Sequence, residues 1–147
     1  MVTNKEETIK GVRFFGIPAG YEFVSLMGAL ITIGSGENEL SAEIQEKVKK
    51  IDKPVHIQVF VTPTCPHCPG AVRTGHMMAM LNPNVKADMI EATEFAELSR
   101  KYRVQGVPRI VVNDDSYIEG NVPEAIYLES VERALGGETG DLIMHLR

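Results

Sequence analysis

Cysteine is nearly absent from this 147-residue chain, and the two that exist, Cys65 and Cys68, share one stretch, TPTCPHCPG at 62–70. So sparse a set excludes the disulfide scaffold of a small secreted domain, and in a reducing compartment such a pair is catalytic, metal-binding or a local staple. Basic blocks are missing too: 20 acidic residues face 15 basic ones, for a formal charge of −5. A phosphate backbone is therefore not the expected partner, and nucleic acid is set aside. Long hydrophobic runs are lacking as well. The longest nearly apolar one, FVSLMGALITI at 23–33, is well short of the roughly 20 residues a spanning helix needs. The opening MVTNKEETIK has no apolar signal core, so a soluble, cytoplasmic chain without a membrane partner is expected. What is present suffices for a core: 44% hydrophobic residues in a length that suits one domain with part of a second.

Around the cysteines the pattern alternates strand and helix. PVHIQVFV (54–61) is β-branched and aromatic and reads as a buried strand running into the motif. A helix is predicted from Pro66, whose missing N–H would have had no intrahelical partner, which leaves Cys65 at the cap and Cys68 in the first turn. Pro63 and Pro69 stiffen the loop and helix entry, while Met77, Met78 and Met80 read as packing of that helix on the sheet. VKADMIEA (85–92) is a second strand, and Thr93 caps a short helix with Phe95, Leu98 and Tyr102 on one face. Ile110, Val111 and Val112 form a strand, Asn113, Asp114 and Asp115 a turn, and SYIEG the returning hairpin partner. Pro123 opens a last helix with Leu128, Val131 and Leu135 inward, stopped by Gly136 and Gly137. A β-α-β-α-β-β-α order is complete between 54 and 135. His56 and His145 read as ordinary strand and tail residues.

Upstream, ELSAEIQEKVKKI (39–51) is an amphipathic connecting helix with Leu40, Ile44, Val48 and Ile51 on one stripe and Glu43/Lys47 and Glu46/Lys50 pairs outside. Before it, GVRFFGIPAGYEFVSLMGAL reads as strand, proline and helix, which is also how the chain ends. An offset of 105 residues matches Pro18 to Pro123, Ser25 to Ser130, Ala29 to Ala134 and Leu30 to Leu135. The apolar pairs Ile17/Val122, Phe23/Leu128 and Leu26/Val131 follow the same offset, an internal repeat. The organisation expected is a partial unit at 1–38, a connector at 39–53, a complete unit at 54–136 and a tail at 137–147. A lone strand and helix cannot bury themselves, and an open strand edge invites another chain. Either they fold back on the complete unit or two copies share them; a homodimer through residues 11–33 is expected, with Leu142, Ile143 and Met144 as possible additions to the contact.

The chemistry expected of the motif follows from the helix start. A thiolate attacks disulfides, and a free cysteine near pKa 8.5 is mostly protonated at neutral pH. Free backbone N–H groups at a helix N-terminus, with its partial positive charge, stabilise the anion at Cys65. His67 can add a protonated imidazole or a donor. Cys68, one turn deeper, is the resolving cysteine. The rival is zinc, with Cys65, Cys68, His67 and His76 as sulfur and nitrogen ligands.

The element order, the CxxC at the first strand-to-helix junction and the Val-Pro before the third strand resemble the thioredoxin/glutaredoxin fold. The expected class is therefore α/β, a thioredoxin-like three-layer α/β/α sandwich with a mixed central sheet and a partial N-terminal repeat. The resemblance implies a cis Pro108 facing the CxxC, 108 − 65 = 43 residues on, with Val107 offering its backbone to a substrate. Pro66 and His67 tune the site; CPHC also occurs in a strongly oxidising periplasmic thiol oxidase. FFGIPAGYEF, IDKPVHIQVFVTPTCPHCPGAV and GVPRIVVN are similar to the tandem protein disulfide oxidoreductases of thermophilic prokaryotes. TCPHCP and LNPNVK are similar to the N-terminal domain of the alkyl hydroperoxide reductase flavoprotein. These families imply a protein dithiol–disulfide oxidoreductase that needs no cofactor of its own, with disulfide or dithiol proteins, a peroxiredoxin and an upstream reductase as partners. The chain departs from them in holding only part of a first unit, which bears on any isomerase activity needing two sites. It also has Val59 where many thioredoxins bury an acid, leaving a water or Glu91 to deprotonate Cys68. A non-catalytic binding module is the competing class. A glutathione contact at Asp114 and Asp115 is a minor alternative to their turn role.

Overall fold

The computed structural model describes residues 9–136 and the backbone of 140–141. The tail residues Leu142, Ile143, Met144 and His145 lie outside the described residues. In chain order the elements are β1 (Val12–Phe15), α1 (Glu22–Ser35), α2 (Ala42–Lys49), β2 (Val55–Val61), α3 (Cys68–Leu81), β3 (Val85–Glu91), α4 (Ala96–Lys101), β4 (Arg109–Val112), β5 (Ser116–Glu119), α5 (Glu124–Leu135) and β6 (Gly140–Asp141). One mixed sheet runs β1-β3-β2-β4-β5-β6. β3 is flanked by parallel β1 and β2, while β4 is antiparallel to both β2 and β5.

The period-2 alternation of the strands divides their side chains between two cores. Val55, Ile57, Val59 and Val61 of β2, with Val85, Ala87 and Met89 of β3, face a large cluster shared with α1, α2, α3 and α5. Phe60, Ile90 and Val111 face the other way, where Tyr102 and the side chains of Phe95 and Leu98 close a smaller cluster under α4. The three layers are therefore unequal, with four helices on one face of the sheet and one on the other.

Two cap assignments differ from expectation. Thr93 does not cap α4; its hydroxyl donates to Glu91 Oε2 at 2.6 Å, and Phe95 occupies the cap position without a side-chain bond. The carboxylate, already placed in the turn, outcompetes a weaker backbone donor for that hydroxyl. Ser41 caps α2 instead, accepting from Ile44 N–H at 3.3 Å. On its outer face Glu43 pairs with Lys47 at 3.3 Å, whereas Glu46 meets Lys49 and not Lys50, because the helix ends at Lys49. In the β4–β5 hairpin Asn113 and Asp114 both take positive φ, conformations that asparagine and aspartate tolerate better than most residues. Asp114 also accepts the Tyr102 hydroxyl, tying the turn to α4.

The N-terminal segment folds back on the rest of the chain. β1 pairs with β3, Val12 opposite Ala87, and Arg13 forks onto Asp88 with bonds of 2.6 and 2.9 Å. His56 adds a third bond to Asp88 at 2.6 Å. His56 is thus more than an ordinary strand residue, since it joins the polar cluster that fastens β1.

Candidate active site

β2 ends at Val61, a short turn follows, and Cys65 precedes a second turn through Pro66 and His67. α3 begins at Cys68, with His67 at the cap and Pro69 in the first turn. The predicted start at Pro66 is two residues early. Pro66 and Pro69 both lack an N–H, so the free donor at this helix start is the N–H of Cys68, and it points to Cys65 Sγ at 3.1 Å. The two cysteines are paired as a disulfide with Cα atoms 5.5 Å apart. Cys65 is 9% exposed and Cys68 0%, so one sulfur borders solvent and its partner is sealed behind it.

Opposite them, the Val107–Pro108 peptide is cis. The Val107 carbonyl oxygen lies 3.7 Å from Cys65 Sγ and Pro108 is buried at the start of β4. Pro66 and His67 are exposed on the rim. Thus Cys65, Cys68 and Val107, expected from distant parts of the chain, meet in one place. His76 does not join them. It is buried in α3, its Nε2 donating to the Arg13 carbonyl at 3.2 Å and its ring lying 4.9 Å from Phe14. Burial lowers its pKa to about 4, so it is neutral and serves to hold α3 on β1. Among the described residues no three His, Cys, Asp or Glu side chains converge as a metal site.

Glu22 is the site residue that the sequence pattern does not reveal. Its backbone neighbour Tyr21 donates to the Pro63 carbonyl at 3.0 Å, which plants the start of α1 against the loop that leads into Cys65. Its own carboxyl is buried; Oε1 accepts from Ser25 Oγ at 2.7 Å and Oε2 has no partner. Burial raises its pKa to about 7, with the Ser25 bond pulling the other way. One signal does mark it: Glu22 is the sole charged residue in the fourteen of α1. Glu91, the acid expected near Cys68, is committed instead to the Thr93 hydroxyl and to Glu94 N–H at 2.8 Å. Val59 fills the core position beneath. A cleft of about 360 Å³ runs from this corner between α1 and α3, bordered by Ser25, Ala29, Pro69, Gly70 and Met77.

A Thioredoxin domain family model matches residues 55–132. The chain belongs to the thioredoxin-domain family. This thioredoxin domain is 33% identical to an alkyl hydroperoxide reductase flavoprotein component, AhpF, of Pseudomonas aeruginosa over 76% of its own length and 22% of the relative's. Among solved structures, an Enterococcus faecalis alkylhydroperoxide reductase component, also AhpF, superposes with a TM-score of 0.80 at 28% identity, covering 88% of this chain and 62% of that one. A protein disulfide oxidoreductase from Aeropyrum pernix does so with a TM-score of 0.80 at 32% identity, over 86% and 57%. The chain spans about a quarter of the length of the curated relatives it matches. No helix among the described residues is long and apolar enough to cross a membrane.

Proposed function

We propose that the chain is a protein dithiol–disulfide oxidoreductase in which Cys65 attacks and Cys68 resolves. The observation that carries this reading is the asymmetry of the pair: a bordering sulfur that receives a helix N-terminal N–H at 3.1 Å, backed by a fully buried one. In the reduced chain, the Cys65 thiolate attacks one sulfur of a substrate disulfide and expels the other as a thiolate, which takes up a proton. Cys68 loses its proton and attacks Cys65 Sγ, closing the Cys65–Cys68 bond and releasing the second substrate thiol. Two electrons and two protons pass to the substrate, and an upstream dithiol reductase restores the pair. The reverse cycle oxidises dithiols.

The proton of Cys68 needs an acceptor, and Glu22 suits it: a buried carboxyl with a free oxygen and a pKa near that of the exchange itself. Val107 pairs through its backbone with an extended substrate segment, Pro108 shapes that contact, and Pro66 and His67 tune the potential. The relatives named alkyl hydroperoxide reductase support a peroxiredoxin as one partner, and the protein disulfide oxidoreductase supports protein disulfides more widely. The fold is read as a partial unit at 1–38, joined through 39–53 to a complete one at 54–136.

Insulin reduction with dithiothreitol as donor tests the proposal. The wild type should accelerate it, Cys65→Ser should abolish the acceleration, and Cys68→Ser should accumulate a mixed disulfide. Equal rates for wild type and Cys65→Ser would leave the binding-module reading in its place.

A further inference from the structure

α1 is buried on the wrong side. Glu22, Ser25, Ala29 and Ile33 form the face turned inward, while Phe23, Val24, Met27, Leu30 and Ile31 stand exposed on the opposite face. Every large hydrophobic side chain exposed among the described residues lies between Phe15 and Ile31. A surface helix normally shows the reverse pattern, so this face is shaped for a contact.

The internal repeat says what kind. At the offset of 105 residues, exposed Phe23 and Leu30 correspond to Leu128 and Leu135, which α5 packs on the sheet, and Leu26 to buried Val131. Val24 and Met27 correspond to Glu129 and Glu132, so where α5 carries acids α1 carries apolar groups. β1 likewise corresponds to β5, whose neighbour β4 is antiparallel to it. β1 is the edge strand, bonded to β3 on one side and to no described strand on the other. What is missing over α1 and β1 is an antiparallel strand with an apolar surface.

We infer that a second copy of the chain supplies it, β1 pairing antiparallel with the partner's β1 across a twofold axis and the exposed face of α1 closing over the joint. A twofold axis makes the two strands antiparallel of necessity, the orientation in which β4 meets β5. The outer face of α1 is also self-compatible: beyond Glu22, which points inward, the helix has no charged residue to repel its own copy. β1 carries none of the usual devices against edge pairing, having no proline or lysine, and its one charge, Arg13, is folded back onto Asp88. This interface does not depend on the exchange chemistry.

Light scattering of the 147-residue chain between 1 and 100 µM should give twice the chain mass. Met27→Glu with Ile31→Glu, both exposed in the single chain, should raise the dissociation constant at least roughly 100-fold by burying unpaired charge, while circular dichroism and insulin reduction stay unchanged. Hydrogen exchange at β1 should slow with concentration in the wild type and not in the variant. A monomer at 100 µM overturns the inference. So does a dimer that the double variant leaves intact, or association only with phosphatidylcholine–phosphatidylglycerol vesicles.

Discussion

Glu22 holds its proton through the acidic range in the folded chain because burial raises its pKa to about 7. An unfolded glutamate releases its proton near 4.3. The folded state is therefore favoured at low pH by this group, and that contribution is lost as pH rises from about 4.5 to about 7, with no further change above. Urea midpoints measured from pH 5 to 8 should fall over this interval in the wild type, and Glu22→Gln should flatten the fall. A parallel slope in both proteins would mean that the carboxyl is not the titrating group. Gly75 offers a second test. A Cβ there would stand 2.7 Å from the Tyr127 hydroxyl, itself bonded to the Ala71 carbonyl at 3.1 Å in a sealed part of the core. Gly75→Ala is expected to destabilise by about 1–3 kcal/mol through overpacking, outweighing the gain in helix propensity, as a chemical-denaturation curve would show.

Among the elements, α2 is the most conventional: a serine cap, an inner stripe of Ile44 and Val48, and charges outside. Ser41→Ala should cost about 1 kcal/mol of stability, read from the urea midpoint, because the Ile44 N–H loses its acceptor. Elements of this kind are legible in the sequence because one periodic stripe defines both the helix and its buried face. The β2–α3 junction is legible too, since strand, cysteines and prolines are contiguous. The first residue of α3 is not. Two prolines compete for the first turn, and only the three-dimensional demand of Cys65 Sγ for the Cys68 N–H separates them. α1 defeats pattern reading more thoroughly. Its apolar run predicts a helix correctly, but the same residues cannot say that the small and polar side is the one facing α3. Glu22 stays hidden for that reason: an acid in a first turn reads as a favourable dipole contact, not as a buried group.

At the scale of the whole molecule, one sheet joins the repeat fragment to the complete unit, and a small polar cluster fastens them. Burial alone would raise the pKa of Asp88, but bonds from His56 and Arg13 outweigh it and hold the carboxyl below its ordinary range. That contribution is present above the unfolded pKa of about 3.9 and is lost as pH falls below it. Asp88→Asn should cost about 2 kcal/mol at neutral pH, the partly exposed guanidinium and imidazole limiting the loss. It should also free β1 first, so hydrogen exchange ought to rise at Val12–Phe15 before it rises in β2. Uniform loosening of the sheet would argue that Arg13 and Asp88 do not fasten the edge. The sheet also brings Val107 and Pro108 across to the cysteines, so the proposed exchange chemistry depends on the fold as a whole as well as on the CxxC loop. Its most direct test is alkylation of the reduced chain by iodoacetamide across pH, with each cysteine followed by peptide mass spectrometry. Cys65 should titrate as a thiolate within about 3.5 to 7.5, with Cys68 labelled far more slowly; inflection of Cys65 near the free-cysteine value of about 8.5, or equal labelling of both, would contradict the account.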